Sequence, residues 1–345
     1  MNASLPALLT FPFSGPPRHG EALEVAPGLR WLRMPLPFAL DHINLWLHAD
    51  RDGWTQVDCG YGDLATRTLW EAHFAATFAG RPLTRVIATH CHPDHLGNAA
   101  WLTRRFGCPL VMPQAEFLSA HAIAGEHSGY GTEPTCALFR AHGLAPEHLA
   151  AMQARGNQYV RGVPELPSSF QRLAGTDEVA IGENRWRVVF GYGHSPEHAA
   201  LFCERIGVCI SGDMLLPRIT TNVSVWPVEP DADPLARFLA SLAAFAAMPP
   251  DTLVLPSHGL PFVGAARRVE QLLAHHEARL AELEAAAVRP QTAAELVPVL
   301  FRRELDVQQR FFAMGEAIAH LNHLWRAGRL ARTITADGTI RFSRA

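Results

Sequence analysis

The stretch Val86-Ile87-Ala88-Thr89-His90-Cys91-His92-Pro93-Asp94-His95-Leu96-Gly97-Asn98 constrains this chain more than any other. It sets four metal-binding side chains, His90, His92, Asp94 and His95, within six positions, directly after an apolar run. A helix would scatter them around its circumference, and Pro93 lacks the backbone N–H that a helix interior needs. A loop at a strand end instead lets the alternate residues His90 and His92 point one way to share a metal, while Asp94 and His95 turn toward a neighbouring position. A histidine-rich surface turn, in a chain with 18 His, explains neither the spacing nor the preceding strand. The same alternation points Cys91 away from its neighbours, toward a packing role.

Three more strand-like runs end in similar chemistry. Arg187-Val188-Val189-Phe190 leads to Gly193-His194-Ser195-Pro196-Glu197-His198, Val208-Cys209-Ile210 to Ser211-Gly212-Asp213, and Leu253-Val254-Leu255 to Pro256-Ser257-His258-Gly259. Strand ends on one edge of a layered fold converge on a shared crevice, so four of them can deliver His, Asp and His groups to one place. His198 follows His194 by four residues, but Pro196 argues against a helical metal pair, leaving a substrate-side donor or a buried histidine.

The surrounding pattern is α/β. Strands are predicted at 29–34, 43–48, 54–58 and 109–112, and helices at 64–78 and 97–106. Residues 113–174 read as helical pieces broken by Gly and Pro, an insertion that either covers a site or decorates the periphery. Strands return at 186–190, 200–204, 208–210 and 252–255, with a helix at 234–247. Beyond Pro261, Val269, Leu272, Leu273, His276, Leu280 and Leu283 share one helical face. Thr292-Ala293-Ala294-Glu295 has the form of a capping box, with Pro298 set to distort the helix it starts. Met314, Ile318, Leu321 and Trp325 make a third stripe closed at Gly328, and Asp337-Gly338 marks a hairpin. Helices followed by a hairpin describe a small winged-helix-like domain. The expected division is a large domain, 1–262, carrying the insertion, and a small one, 263–345, each with its own core.

Composition excludes some chemistry. All 30 residues of the Lys+Arg count are arginine, so no mechanism can use a lysine Schiff base. A formal charge of -3 and a pI near 6.6 supply no basic field for nucleic acid. Six cysteines without a C-x-x-C pair fit a reducing compartment. Residues 1–17 carry no positive charge ahead of their short apolar run and are broken by Pro6, Pro12, Pro16 and Pro17, unlike a signal peptide. No apolar stretch is long enough to span a bilayer, so a cytoplasmic location without membrane partners is expected.

Taken together, Val57-Asp58-Cys59-Gly60, the His-x-His-x-Asp-His loop, Gly193-His194, Ser211-Gly212-Asp213 and Ser257-His258-Gly259 resemble the five motifs of the metallo-β-lactamase-fold hydrolases, over residues 29–262. The C-terminal helices and hairpin look like the winged-helix domain of the lactamase-beta-2-like branch. The resemblance implies an αββα sandwich with a dinuclear metal centre at one edge. It places His90, His92 and His194 on one metal, Asp94, His95 and His258 on the other, and Asp213 between them. The cofactors are then two divalent ions, Zn²⁺ first, with Fe or Mn compatible with the same ligands. They would share an activated hydroxide aimed at a carbonyl or phosphorus, with Asp94 as the catalytic group that orients it and passes its proton to the leaving group. Asp58 would act behind the ligands, fixing an imidazole by hydrogen bonding.

The bridging aspartate and the lack of lysine disfavour β-lactams, because the antibiotic-hydrolysing members generally lack the former and some use the latter. Glyoxalase II, related thioesterases and lactonases look similar in carrying the full set. The expected activity is hydrolysis of a small-molecule acyl thioester or ester. The alternatives are a phosphodiesterase or nuclease, as in some winged-helix relatives, and a mono-iron persulfide dioxygenase. Glu316, His320, Asn322, His323 and Arg326 do not make a basic recognition face on the third C-terminal helix, so that domain is read as a packing or homodimerisation module. Tyr130, Arg140, Tyr159, Arg161, Arg218 and Asn222 are candidates to hold a substrate carboxylate or phosphate.

Overall fold

The computed structural model describes residues 9–345. The first eight residues of the proline-broken N-terminal segment therefore lie outside the described residues.

Seven strands form a first sheet in chain order: β1 (Leu23–Ala26), β2 (Leu29–Pro35), β3 (His42–Ala49), β4 (Trp54–Val57), β5 (Leu83–Ile87), β6 (Leu110–Pro113) and β7 (Gln171–Leu173). Pairing is antiparallel from β1 to β4 and parallel from β4 to β7. The parallel pairs need crossovers, supplied by α1 (Leu64–Ala76), then α2 (Pro93–Leu96) with α3 (Ala99–Phe106), then the insertion. That insertion consists of α4 (Gln114–Ala124), α5 (Thr132–Ala141), α6 (Pro146–Arg155) and α7 (Tyr159–Gly162).

The second sheet contains β8 (Glu178–Ile181), β9 (Asn184–Gly191), β10 (His198–Cys203), β11 (Val208–Gly212), β12 (Leu253–Pro256) and β13 (Phe262–Val263). Only β11 and β12 are parallel, joined across α8 (Pro234–Ala246). The C-terminal part is α9 (Ala265–Ala286), α10 (Ala293–Leu300) and α11 (Val307–Arg326), followed by a hairpin of β14 (Leu330–Ile334) and β15 (Ile340–Arg344). Thr292 and Glu295 form the capping box, and α10 continues past Pro298 to Leu300.

Strand alternation separates the layers. Leu29 and Trp31 of β2 meet Ala199, Leu201 and Cys203 of β10 between the sheets, whereas Leu32 and Met34 face α1 and α3. Ala200 and Phe202 of β10 face outward onto the helices of the second layer. The result is an αββα sandwich. The expectation of a separate C-terminal core gives way here. One apolar cluster runs from Phe202, Cys209 and Val254 through Leu235 and Phe238 of α8 to Leu272, Leu296, Ile318 and Phe342. Amphipathic stripes fix which faces of α9 and α11 are buried but not what covers them, and the covering surface is the second sheet's helical layer.

Candidate metal centre

Loops at the ends of β4, β5, β9, β11 and β12 meet at one edge of the sandwich. They bring together all seven candidate ligands. His90 Nε2 lies 2.9 Å from His92 Nδ1 and 3.2 Å from His194 Nε2. His258 Nε2 lies 3.4 Å from Asp94 Oδ2, and His95 Nε2 lies 3.6 Å from the same oxygen. Asp213 sits between these groups. Its Oδ1 is 3.5 Å from His95 Nε2 and 3.4 Å from His258 Nε2, while its Oδ2 is 3.5 Å from His194 Nε2.

Four of the five imidazoles are turned inward by a hydrogen bond on the far side, which fixes the tautomer. His194 Nδ1 donates to the Asn222 carbonyl at 2.7 Å, and His258 Nδ1 to the His42 carbonyl at 2.8 Å. His95 Nδ1 donates to Asp58 Oδ2 at 2.8 Å. The Thr89 hydroxyl donates to Asp58 and so accepts from His90 Nδ1 at 3.0 Å. Four Nε2 atoms, together with His92 Nδ1, are left to face one another.

Asp58 holds this arrangement from behind. Fully buried, it accepts from the Thr89 N–H, the Thr89 hydroxyl and His95, and its backbone sits at φ 60°, a left-handed conformation sparsely populated by residues other than glycine. Asp58 N–H donates to Ile87 O and Cys59 N–H to His95 O, which lock that turn.

The donor set fits divalent cations. Five imidazole nitrogens and two carboxylates are a hard-to-borderline set suited to Zn²⁺, Fe or Mn. His95 Nε2 and Asp213 Oδ1 are buried with no hydrogen-bond partner among the described residues, and such groups are rarely left unpaired unless an ion or a water completes them. Burial opposes charging of His258, yet Asp213 and Asp94 hold its pKa up at about 10. The pocket therefore draws positive charge. His92 is pushed down to about 3 by burial and by His194, so it stays neutral, as a ligand imidazole must.

His198 proves to be the buried histidine of the two alternatives. Its Nε2 accepts the Asp213 N–H at 3.1 Å, and a Cβ on Gly212 would come within 2.3 Å of that nitrogen. Glycine at 212, at φ +56°, lets the ring press against the backbone that presents Asp213. The Cys91 side chain packs into the apolar layer behind the first sheet, as alternation requires.

Several positioning groups escaped the sequence reading. Glu116, buried on α4, accepts from Cys91 N–H at 2.9 Å, from the Ser195 hydroxyl at 2.7 Å and from Glu197 N–H at 2.6 Å. It ties the first histidine loop to the one bearing His194. Burial raises its pKa, and these donors oppose the rise. Asn44 donates to Pro256 O at 2.9 Å and Gly259 O at 2.8 Å, bracketing His258, and a lone amide inside the apolar strand Ile43-Asn44-Leu45-Trp46 was its available signal. Among the substrate-binding candidates, Tyr159 instead donates to Cys91 O at 2.7 Å. Arg140, Arg161 and Arg218 are exposed, Tyr130 lines a cleft beside the centre, and Asn222 orients His194.

Residues 40–258 match the Metallo-beta-lactamase superfamily, and residues 280–345 match the family described as Metallo-beta-lactamase-like, C-terminal domain. The chain belongs to the metallo-beta-lactamase superfamily. It is 50% identical to a beta-lactamase domain protein from Burkholderia ambifaria, whose crystal structure superposes with a TM-score of 0.91 over 98% of both chains. A metallo-beta-lactamase family protein from Thermus thermophilus is 28% identical, with a TM-score of 0.76 over 93% of this chain and 100% of that one. The Probable metallo-hydrolase YqjP of Bacillus subtilis (strain 168) is 25% identical over 310 residues, 85% of this chain and 91% of its own length.

Proposed function

We propose that the protein is a dinuclear metal-dependent hydrolase of an acyl thioester or ester. The supporting observation is the placement of Asp213, whose two carboxylate oxygens face different groups: His95 and His258 on one side, His194 on the other. His90, His92 and His194 would hold one ion, Asp94, His95 and His258 the second, and Asp213 would join them. Two divalent cations so held would supply a water of lowered pKa and electrostatic stabilisation for an oxyanion. Asp94, the more exposed of the two inward carboxylates at 18% against 11%, orients the attacking water, accepts its proton and returns it to the leaving sulfur or oxygen. Asp58, Thr89 and the carbonyls of His42 and Asn222 keep the imidazoles aimed inward throughout.

The polar face of α11 favours this over nucleic-acid cleavage. Glu316 pairs with Asn222, His320 with His276, Asn322 with the carbonyls of Pro230 and Ala232, His323 with Asp233, and Arg326 with the carbonyl of Asp231. These groups dock the helix and leave no basic face for phosphates. The name of YqjP, Probable metallo-hydrolase, agrees with the class.

Metal analysis paired with a panel of thioesters, lactones, phosphodiesters and persulfides tests the reading. Two ions per chain with ester or thioester turnover is the expected result. RNA cleavage without thioester turnover, or one iron per chain with oxygen consumption, would overturn it.

A further inference from the structure

Beside the two triads lies a cleft of about 290 Å³, opening from His92, His194 and Ser195 and running between the insertion and the segment 224–234. We propose that it seats the acyl group of the substrate, and that this group is uncharged and apolar. The assignment rests on the hydrolase reading above.

Apolar and aromatic side chains make most of its walls, interspersed with Ser119, Ser195, Ser224 and the Glu229–Arg237 pair. Ile123 comes from α4, Tyr130 from the loop before α5, and Val225, Trp226 and Val228 from the segment that follows Asn222. The Tyr130 and Trp226 rings lie 6.2 Å apart, centroid to centroid, and the Tyr130 hydroxyl is engaged with Ser119 Oγ at 3.3 Å. A second, smaller recess reaches His92 and His194 past Phe139, Phe311 and Phe312, so α11 contributes to the wall.

Charge decides the class of occupant. The chain has 30 arginines and no lysine, yet among the described residues Arg237 is the one arginine lining the cleft, and it is exposed and paired with Glu229 at 3.4 Å. A carboxylate or phosphate on the acyl group would lose its hydration there with no unpaired arginine of the lining to meet it, which opposes binding. Each methylene moved out of water into these walls favours it. The cleft adjoins the ligands on the side of His92 and His194, so a carbonyl at the centre runs its acyl chain along the wall that the paired Tyr130 and Trp226 rings form.

The test titrates zinc-loaded protein with straight-chain carboxylic acids from acetate to decanoate by calorimetry, alongside hydrolysis of thioesters of the same acids. Affinity should rise about four-fold per methylene, the equivalent of ~0.8 kcal/mol, until the cleft is filled. Trp226→Ala should weaken octanoate about ten-fold and leave acetate unchanged, since only the longer chain reaches that ring. Ile123→Arg, with circular dichroism confirming its fold, should weaken octanoate and strengthen suberate, which carries a second carboxylate. Affinity independent of chain length, or suberate binding the parent protein more tightly than octanoate, would overturn the proposal. Thioester turnover indifferent to acyl length would remove the cleft assignment and leave the hydrolase reading standing. Length-dependent binding without turnover of any thioester or ester would remove the hydrolase reading and the acyl assignment with it, leaving only an apolar binding cleft.

Discussion

Asp58 shows how much a single residue off the metal sphere can control. Its carboxylate fixes His95 directly and His90 through Thr89, so one side chain reaches an imidazole in each triad. Asp58→Ala should lower metal affinity by about 10–100-fold, read by chelator competition. Asp58→Gly relieves the left-handed backbone without restoring the carboxylate; if it binds metal as tightly as the parent, the hydrogen bonds are not what holds the ligands. Asp213→Ala should lose metal and hydrolysis together, since its two oxygens face His95 and His258 on one side and His194 on the other; metal content and turnover unchanged from the parent would reject the proposed centre. At this scale the sequence was most informative, because ligands set at strand ends carry a local spacing that survives in one dimension. Glu116 was not legible for the converse reason: its partners Ser195 and Glu197 lie about eighty positions away, and a glutamate early in a helix has many ordinary explanations.

Among the elements, α11 has the widest reach. Gly315 O accepts the Val225 N–H at 3.1 Å, and a Cβ on Gly315 would come within 2.8 Å of Ser224 Cβ. One glycine without a side chain thus seats the stretch of chain that carries both the Asn222 carbonyl and the cleft wall. Gly315→Val should cost about 1–3 kcal/mol by overpacking. It should also push 222–226 toward His194 and cut turnover more than metal content; parallel losses of both would point to general unfolding. Most core strands were read within a residue or two, since Gly, Asp or Pro marks most of their boundaries, whereas β5 was seen only from Val86 because Thr84 and Arg85 break its apolar run. The strands β1, β7, β8 and β13 were not foreseen: each has four residues or fewer, β1 has no buried position, and β7 and β8 mix exposed and buried ones too briefly to establish a period.

Across the whole molecule, the shared apolar cluster makes the C-terminal helices part of the catalytic layer's core. A chain truncated after residue 262 exposes Leu235, Phe238 and Phe245 and should be recovered as aggregate; a soluble, metal-binding fragment would refute this coupling. Glu316, half-buried where α11 meets Asn222, has its carboxyl pushed up to about 7 by burial, against 4.5 when unfolded. The folded state therefore binds this proton more tightly. The stabilisation is full below pH 4.5 and is lost as pH rises through about 7. Glu316→Gln should flatten the difference in urea midpoint between pH 5 and pH 8, and an unchanged difference would assign it to other groups. The two sheets also secure their histidines by different means. His90 and His95, from the first, depend on the side chains of Thr89 and Asp58, whereas His194 and His258, from the second, lean on the carbonyls of Asn222 and His42. A carbonyl is present whatever residue bears it. Over evolutionary time, the first pair should be inherited with its supporting residues as a fixed set, while the residues behind the second pair can drift as long as the path of the chain is kept.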